Sequence, residues 1–116
     1  MRMIVTVLAL LLVSGCGSAQ VAEGAMGDGF SAAVADGRLV LRNGLPQAVH
    51  YTAIEEETAA LVDLHFDPTQ WPSVAARGEV RIPLDSVMGY TPDARTAIVH
   101  WWTGGTYGQP LRVPLR

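Results

Sequence analysis

The most apolar strand pattern in the chain runs from Arg95 to Thr103 and reads RTAIVHWWT. β-Branched and aromatic residues dominate this stretch, which is typical of a strand at the centre of a sheet. Gly104-Gly105 follows it and predicts a tight turn. Because successive side chains of a strand point to opposite faces, Trp101 and Trp102 cannot share a face. We therefore expect one of the two rings in the core, while the other is either exposed or covered by the twist of the sandwich and neighbouring loops.

The same alternation of short apolar strands and turn residues continues upstream and downstream. Asp36-Gly37 and Asn43-Gly44 lie between apolar runs and predict turns, since Asn, Asp and Gly tolerate a positive φ. Glu56–Ala59 is predicted as a further turn. Residues 67–77 are predicted as a crossover, in which Trp71 closes one end of the fold. The pattern predicts six more strands, at 30–34, 38–42, 48–55, 60–66, 78–84 and 109–115.

Seven short strands separated by turns predict an all-β, antiparallel β-sandwich. Proline has no amide hydrogen to donate to a neighbouring strand, so Pro83 and Pro114 are expected on edge strands. Both fit an arrangement in which strands 30–34, 38–42 and 78–84 form one sheet and the other four form the second. This arrangement resembles the fibronectin-III-like type of Ig-like sandwich, in architecture and not in any particular family. A small closed barrel is the alternative.

The N-terminal segment has the organisation of an export signal. Met1–Met3 carries one positive charge, on Arg2, and Ile4–Val13 is an apolar run of ten residues. Ten helical residues span about 15 Å, roughly half of the hydrocarbon core of a bilayer, so a cleaved signal is favoured over a membrane-spanning helix. Cys16, the only cysteine of the chain, follows two small residues. With a single cysteine, the chain has no intramolecular disulfide.

The four residues Val13-Ser14-Gly15-Cys16 resemble the lipobox of bacterial lipoproteins, in which a branched apolar residue and two small residues precede a modified cysteine. The resemblance implies cleavage before Cys16, a diacylglycerol thioether on its sulfur and an N-acyl chain on the new terminus. It divides the chain into a signal peptide at 1–15, a flexible tether at 16–29 and a β-sandwich domain at 30–116. The alternative is an ordinary signal peptide cut near Ala19, which would discard Cys16.

The sequence also bears on location and partners. No Asp follows Cys16 directly, and in many Gram-negative lipoproteins such an Asp resembles a retention signal for the inner membrane. The periplasmic face of the outer membrane is therefore expected. The chain has 8 Lys and Arg against 11 Asp and Glu, a formal net charge of −3, and no basic run. Nucleic acid is not expected as a partner. The expected partners are the membrane, through the lipid anchor, and an envelope protein or cell-wall component.

Three histidines, His50, His65 and His100, are candidates for a metal site. If Glu56–Ala59 closes a hairpin between strands 48–55 and 60–66, His50 faces His65, and His100 lies on the next strand of the sandwich. Facing side chains have Cβ atoms about 5 Å apart. Three imidazoles in a row suit Zn²⁺ or Cu²⁺. The alternative is a group of surface histidines that binds no ligand, because a register shift of one residue separates the row.

Exposed aromatic side chains are the other candidate for binding. Whichever of Trp101 and Trp102 lies at the surface would join Tyr107, in the next loop, to contact a partner or a sugar ring. The sequence contains no nucleophile motif and no phosphate-binding loop, so it is not expected to be an enzyme. The pattern predicts a membrane-anchored envelope lipoprotein with a non-catalytic interaction module. The alternatives are a metal-binding lipoprotein and a cell-wall or carbohydrate binder.

Overall fold

A computed structural model describes residues 25–26, 29–62 and 67–116 of the protein. These residues form nine strands, one short α-helix and two 3₁₀ turns. In chain order the elements are β1 (Ala25–Met26), β2 (Phe30–Ala35), β3 (Arg38–Asn43), β4 (Val49–Glu55), α1 (Glu56–Ala59), a 3₁₀ turn (Pro68–Gln70), β5 (Ser73–Val74), β6 (Glu79–Pro83), a second 3₁₀ turn (Leu84–Ser86), β7 (Thr96–Thr103), β8 (Thr106–Tyr107) and β9 (Leu111–Pro114).

The first sheet has the strand order β1-β2-β3-β6, and its neighbouring strands are antiparallel. Asp36 and Gly37 join β2 to β3 with φ values of 54° and 73°. Positive φ at both central residues matches the right-handed twist of the two strands, as the Asp-Gly pair predicted. Strand β6 is an edge strand, which confirms the placement of Pro83.

The second sheet has the order β9-β7-β4-β5, and β8 also pairs with β7. Strand β7, the apolar RTAIVHWWT stretch without its first residue, lies between β9 and β4 and is therefore central, as predicted. Gly104 and Gly105 form the turn to β8 with φ values of 58° and 83°. Pro114 lies on the edge strand β9, which confirms the second proline prediction.

The core lies between the two sheets and receives alternate side chains from each. Phe30 of the first sheet and Trp101 of the second contact each other, with ring centroids 5.1 Å apart. The largest fully buried side chains of this core come from both sheets and the loops between them: Phe30, Leu39, Leu41, Val49, Val74, Val87, Val99 and Val113. The coarse prediction, an all-β antiparallel fold of two sheets, is thus confirmed.

A buried amide side chain connects the two sheets at one end. Asn43, the last residue of β3, is buried. Its Nδ2 donates to the backbone carbonyls of Gln47, Val74 and Ala75 at 2.8–3.1 Å, and its Oδ1 accepts from the backbone N–H of Leu45 at 2.9 Å. Because Val74 belongs to β5, this one side chain fixes the first sheet to an edge strand of the second.

The predicted hairpin after β4 is wrong. Residues Glu56–Ala59 form α1, and Ala60–Val62 form turn and bend structure, not the start of a strand. The reason is a helix cap: the carboxylate of Glu55 accepts hydrogen bonds from the backbone N–H groups of Glu57 and Thr58 at 2.8 and 2.9 Å. This satisfies two of the amides that a helix start leaves without partners. The place beside β4 is taken by the short strand β5.

The ordered sheet also begins earlier than the predicted domain boundary at residue 30, because Ala25–Met26 pairs with β2 as β1. The predicted signal peptide, the lipobox-like residues and Cys16 lie outside the described residues. Within the part of the chain that the structure describes, no helix is long and apolar enough to cross a membrane.

Candidate functional site

The outward face of the second sheet is the candidate site, and strand alternation decides which residues reach it. Along β7, Val99 and Trp101 are buried toward the first sheet, whereas His100 and Trp102 are half-buried on the outer side. Along β4, His50 and Thr52 have the same outward orientation. The register places His50 opposite Trp102. The prediction that the two tryptophans lie on opposite faces, with one ring in the core, is confirmed; the other ring, Trp102, is half-buried on the outer face.

Four side chains on this face form what we call the aromatic patch: His50, Trp71, Trp102 and Tyr107. Trp102 lies between its ladder partners His50 of β4 and Tyr107 of β8. The ring centroids of His50 and Trp102 are 5.7 Å apart, and those of Trp71 and Tyr107 are 6.4 Å apart in an edge-to-face arrangement. Both distances lie within the range for favourable aromatic contacts, and the ladder pairing of Trp102 with Tyr107 places the two ring pairs side by side.

Tyr107 is the most accessible member of the aromatic patch, with 59% of its surface exposed. Its position follows from the Gly104-Gly105 turn, which brings Thr106 opposite Thr103 and Tyr107 opposite Trp102. The Oγ1 of Thr103 donates to the backbone carbonyl of Ala48 at 2.8 Å and ties this end of β7 to the start of β4. The exposed phenol therefore stands on a short, well-supported hairpin.

Trp71 reaches the patch from the loop that precedes β5. Asp67 caps the 3₁₀ turn Pro68–Gln70, its carboxylate accepting from the backbone N–H of Thr69 at 3.0 Å, and Trp71 follows directly. The backbone N–H of Tyr51 donates to the carbonyl of Pro72 at 3.0 Å, which holds the loop against β4. The indole Nε1 of Trp71 is buried and has no hydrogen-bond partner among the described residues. Packing, not a bond from this N–H, positions the ring.

His50 is fixed in one tautomer by this loop. Its Nδ1 lies 3.1 Å from the backbone carbonyl oxygen of Trp71. Because a carbonyl oxygen can only accept, Nδ1 carries the proton and donates it. In the neutral ring, Nε2 is then a hydrogen-bond acceptor. The aromatic patch thus combines flat apolar rings with one polar atom in a fixed orientation, Nε2 of His50.

His100 lies beside the patch, opposite Thr52 on β4 and diagonal to His50. Burial lowers the pKa of the His100 imidazole below its ordinary value, because a charged ring loses hydration there. Burial therefore favours the neutral form of the His100 imidazole. Thr52 adds a hydroxyl between the two histidines on the same face.

The opposite end of this face is closed. Ile54 has the same orientation along β4 as His50 and Thr52, yet it is fully buried. Helix α1 contacts β4 and β7 at this end, and its Glu56 forms an ion pair with Arg112 of β9. The aromatic patch is consequently the open half of a sheet face whose other half is covered.

Trp101 is the core ring of the pair, which leaves Trp102 and Tyr107 as the predicted binding residues on the outer face. The Trp101 ring is only 4% exposed, and its Nε1 donates to the backbone carbonyl of Gln109 at 2.8 Å. A Cβ built on Gly108 would lie 2.0 Å from the indole ring of Trp101. The ring therefore packs against bare backbone, and it belongs to the core with Phe30.

The predicted row of three histidines is also wrong in its register. Both ladder positions beside His50 are occupied, by Trp102 on β7 and by Ser73 on β5, so His50 does not face His65. His65 itself lies outside the described residues. Among those that are described, no group of three or more His, Cys, Asp or Glu side chains is placed to hold a metal ion. Zn²⁺ or Cu²⁺ binding by His50, His65 and His100 stays a prediction.

Sequence reasoning missed Trp71 as a member of the site, because it was expected to close one end of the sandwich. The aromatic patch as defined contains no carboxylate and no thiol. Its chemistry is that of a recognition surface: ring faces for stacking, a phenol, an imidazole and, beside them, a hydroxyl. In comparisons with known proteins, no family model, no curated protein and no solved structure matches this chain.

Proposed function

We propose that the protein is a lipid-anchored lipoprotein of the cell envelope, on the periplasmic face of the outer membrane. Its β-sandwich acts there as a non-catalytic interaction module. The observation that carries this proposal is the aromatic patch, a group of rings in tilted and edge-to-face contact at the open half of a sheet face. Exposed aromatic groups supported by a rigid sheet are typical of binding surfaces, because the rings bury a large area and lose little conformational entropy.

The anchor is supported by the lipobox-like residues Val13-Ser14-Gly15-Cys16 and by the absence of any other cysteine in the sequence. Two or three acyl chains on Cys16 hold a protein to a bilayer far more firmly than one chain does. Only eight residues separate Cys16 from β1. The domain therefore works close to the membrane surface.

The finer fold assignment belongs to the same proposal. The pairing of β2, β3 and β6 in one sheet, and of β4, β7 and β9 in the other, corresponds to the grouping expected for the fibronectin-III-like type of Ig-like sandwich. Edge strands carry both ladder prolines, as such a sandwich requires. Modules of this architecture suit binding because their strands present rigid outer faces.

The anchor is tested by the intact mass of the protein extracted from membranes with detergent. The expected mass is that of residues 16–116 plus a diacylglycerol and an N-acyl chain, and Cys16→Ser should remove both and release the protein from the membrane fraction. A membrane-extracted mass with an unmodified Cys16 would overturn the anchor.

The module is tested by a photo-crosslinking amino acid in place of Tyr107 in the full chain in cells. We expect crosslinks to an envelope partner that weaken at least several-fold when Trp102→Ala is added, because the two residues are ladder neighbours. Crosslinks unchanged by Trp102→Ala would mean that the aromatic patch does not bind the partner. The matched control is Arg116→Gln, an exposed position outside the patch.

A carbohydrate of the cell wall is the second candidate ligand, and the side-by-side placement of Trp102 and Tyr107 favours it. Sugar rings stack their C–H faces on aromatic rings, while polar groups such as His50 Nε2 and the Thr52 hydroxyl take hydroxyl groups. Titration with soluble peptidoglycan fragments should change the tryptophan emission, and Trp102→Phe should abolish most of that change. An unaltered emission spectrum would exclude this candidate and leave a protein partner.

A further inference from the structure

The outer face of the first sheet carries a cluster of arginines that is not visible in the sequence. Arg38 and Arg42 point outward from β3, and Arg81 points outward from the adjacent β6; all three are exposed. The register places Arg81 opposite Val40, midway between the other two. We call these three residues the arginine face. Arg38 and Arg81, which are 43 positions apart in the chain, thus lie within about 7–10 Å of each other on one sheet.

The net charge of the arginine face has the opposite sign to the net charge of the whole protein. The chain has a formal net charge of −3, whereas the outward residues of β3 and β6 include three arginines and one acid, Glu79, which leaves a net charge of +2. Asp36 lies beyond the strands, in the turn between β2 and β3. Positive charge is therefore in excess on this face although the chain as a whole is acidic.

Glu79 holds two of the arginines in fixed positions. Arg42 Nε donates to Glu79 Oε1 at 2.8 Å, and Arg81 Nε donates to Glu79 Oε2 at 2.9 Å. These hydrogen bonds, that from Arg42 first, lower the pKa of the Glu79 carboxyl. Both contacts engage Nε, so they do not consume the Nη donors of either guanidinium. Those donors have the planar spacing that suits phosphate oxygens.

The chain enters the domain on this same sheet. Strand β1, which follows the tether, is the outermost strand of the first sheet and pairs with β2. From Cys16 to Ala25 the chain has nine residue steps, which span at most about 32 Å when fully extended. The sheet that carries the arginine face is therefore the sheet joined directly to the predicted anchor, within one bilayer thickness of the headgroups.

We propose that the arginine face docks onto anionic phospholipid headgroups of the membrane that holds the anchor. This proposal rests on the lipid anchor of the proposed function. The two sheets pack face to face, so docking of the first sheet turns the aromatic patch away from the membrane and toward the periplasm. Each positive charge near an anionic surface contributes roughly a five-fold preference, so a net charge of +2 gives a preference of roughly 30-fold for the docked orientation.

The test uses the purified lipidated protein, reconstituted into vesicles of phosphatidylcholine alone or with about a third of phosphatidylglycerol. Cys16 is the only cysteine and its sulfur carries lipid in this protein, so one introduced cysteine accepts a fluorescent label. Ser31→Cys places the label on the first sheet beside Arg42, and Ser73→Cys places it on the second sheet beside His50. Nitroxide headgroup lipids then quench whichever label is near the bilayer.

In anionic vesicles we expect quenching of the Ser31→Cys label to exceed that of the Ser73→Cys label several-fold. The difference should disappear in phosphatidylcholine vesicles and at 1 M salt, where the Debye length is about 3 Å. It should also disappear with Arg38→Gln plus Arg81→Gln, which reduces the net charge of the face to zero. Arg95→Gln plus Arg116→Gln changes the total charge equally but lies elsewhere, so it should leave the difference intact.

Equal quenching of both labels in anionic vesicles, by a protein that remains vesicle-bound, would overturn the docking proposal alone. A protein that does not remain with the vesicles and has an unmodified Cys16 by mass would instead overturn the anchor. Quenching that is stronger at Ser73→Cys than at Ser31→Cys would reverse the orientation and also overturn the docking proposal.

Discussion

The two outer faces of this sandwich are built by the same rule and have opposite chemistry. On the second sheet the outward residues His50, Trp102 and Tyr107, together with Trp71 from the loop before β5, form the aromatic patch. On the first sheet the outward residues Arg38, Arg42 and Arg81 form the arginine face. In both sheets most of the inward positions are apolar, with Asn43 and Glu55 as buried polar exceptions. The comparison teaches that strand alternation fixes only which residues leave the core, while the pairing of strands decides what surface they make together.

Within β7, the adjacent residues Trp101 and Trp102 lie in different environments, the first in the core and the second on the outer face. Trp101→Ala should lower the free energy of unfolding by about 3–5 kcal/mol, because it opens a cavity against Phe30 and Gly108. Trp102→Ala should cost only about 1 kcal/mol, since the ring is half-buried at the surface. Urea unfolding of the two variants measures both values. Equal losses would contradict the assignment of the two rings to core and surface.

The next largest loss of stability is expected at Asn43, whose side chain connects the two sheets. Asn43→Ala should destabilise the protein by about 2–3 kcal/mol, because the carbonyls of Val74 and Ala75 lose their buried donor. Gln47→Ala is the matched control: Asn43 binds the main-chain carbonyl of Gln47, which that variant keeps. If the unfolding midpoint of Asn43→Ala equals that of Gln47→Ala within error, the Asn43 amide does not join the sheets.

Folding stability should depend on pH in the acidic range, because Glu55 caps the helix α1 that covers one half of the second sheet. Hydrogen bonds from the backbone of Glu57 and Thr58 lower the pKa of Glu55, so the folded state favours the ionised carboxylate. The resulting stability is fully present above the ordinary pKa of 4.5 and is lost as pH falls through the lower folded value. Glu55→Gln should therefore be less stable than the wild type at pH 7 and should lose less stability toward pH 3. Parallel thermal melting curves of the two proteins at pH 7 and pH 3 check this.

His100 should give a smaller effect at higher pH. Burial lowers its pKa, so the unfolded chain binds more protons than the folded one between the folded pKa and 6.5. Stability therefore decreases as pH falls from 7 through that window. His100→Gln should abolish this decrease while leaving the Glu55 transition below pH 4.5 unchanged. If the wild type and His100→Gln lose the same stability between pH 7 and pH 5, His100 is not responsible.

Much of the fold could be predicted from the sequence because local chemistry decides it. Asp36-Gly37 requires positive φ, and Pro83 and Pro114 exclude central strands. The apolar stretch 95–103 is buried in the middle of a sheet. These residues fix turns, edges and centre without knowledge of the partner strands.

The site could be predicted only in part, because it depends on register. The sequence placed Trp102 and Tyr107 together, since one short turn joins them. It missed the cap that Glu55 makes on α1, which removed the hairpin and with it the His50–His65 pair. Likewise, nothing local in the sequence brings Arg81 beside Arg38 and Arg42, because β4, α1 and β5 lie between these residues in the chain.

The central claim is that the two faces serve different contacts, and one crosslinking comparison tests it most directly. A small diazirine amino acid replaces either Ser31 on the first sheet or Tyr107 on the second, in the full lipidated chain in native membranes. The account predicts phospholipid adducts at position 31 and adducts with an envelope protein or wall polymer at position 107, identified by mass. The same class of adduct at both positions would contradict it.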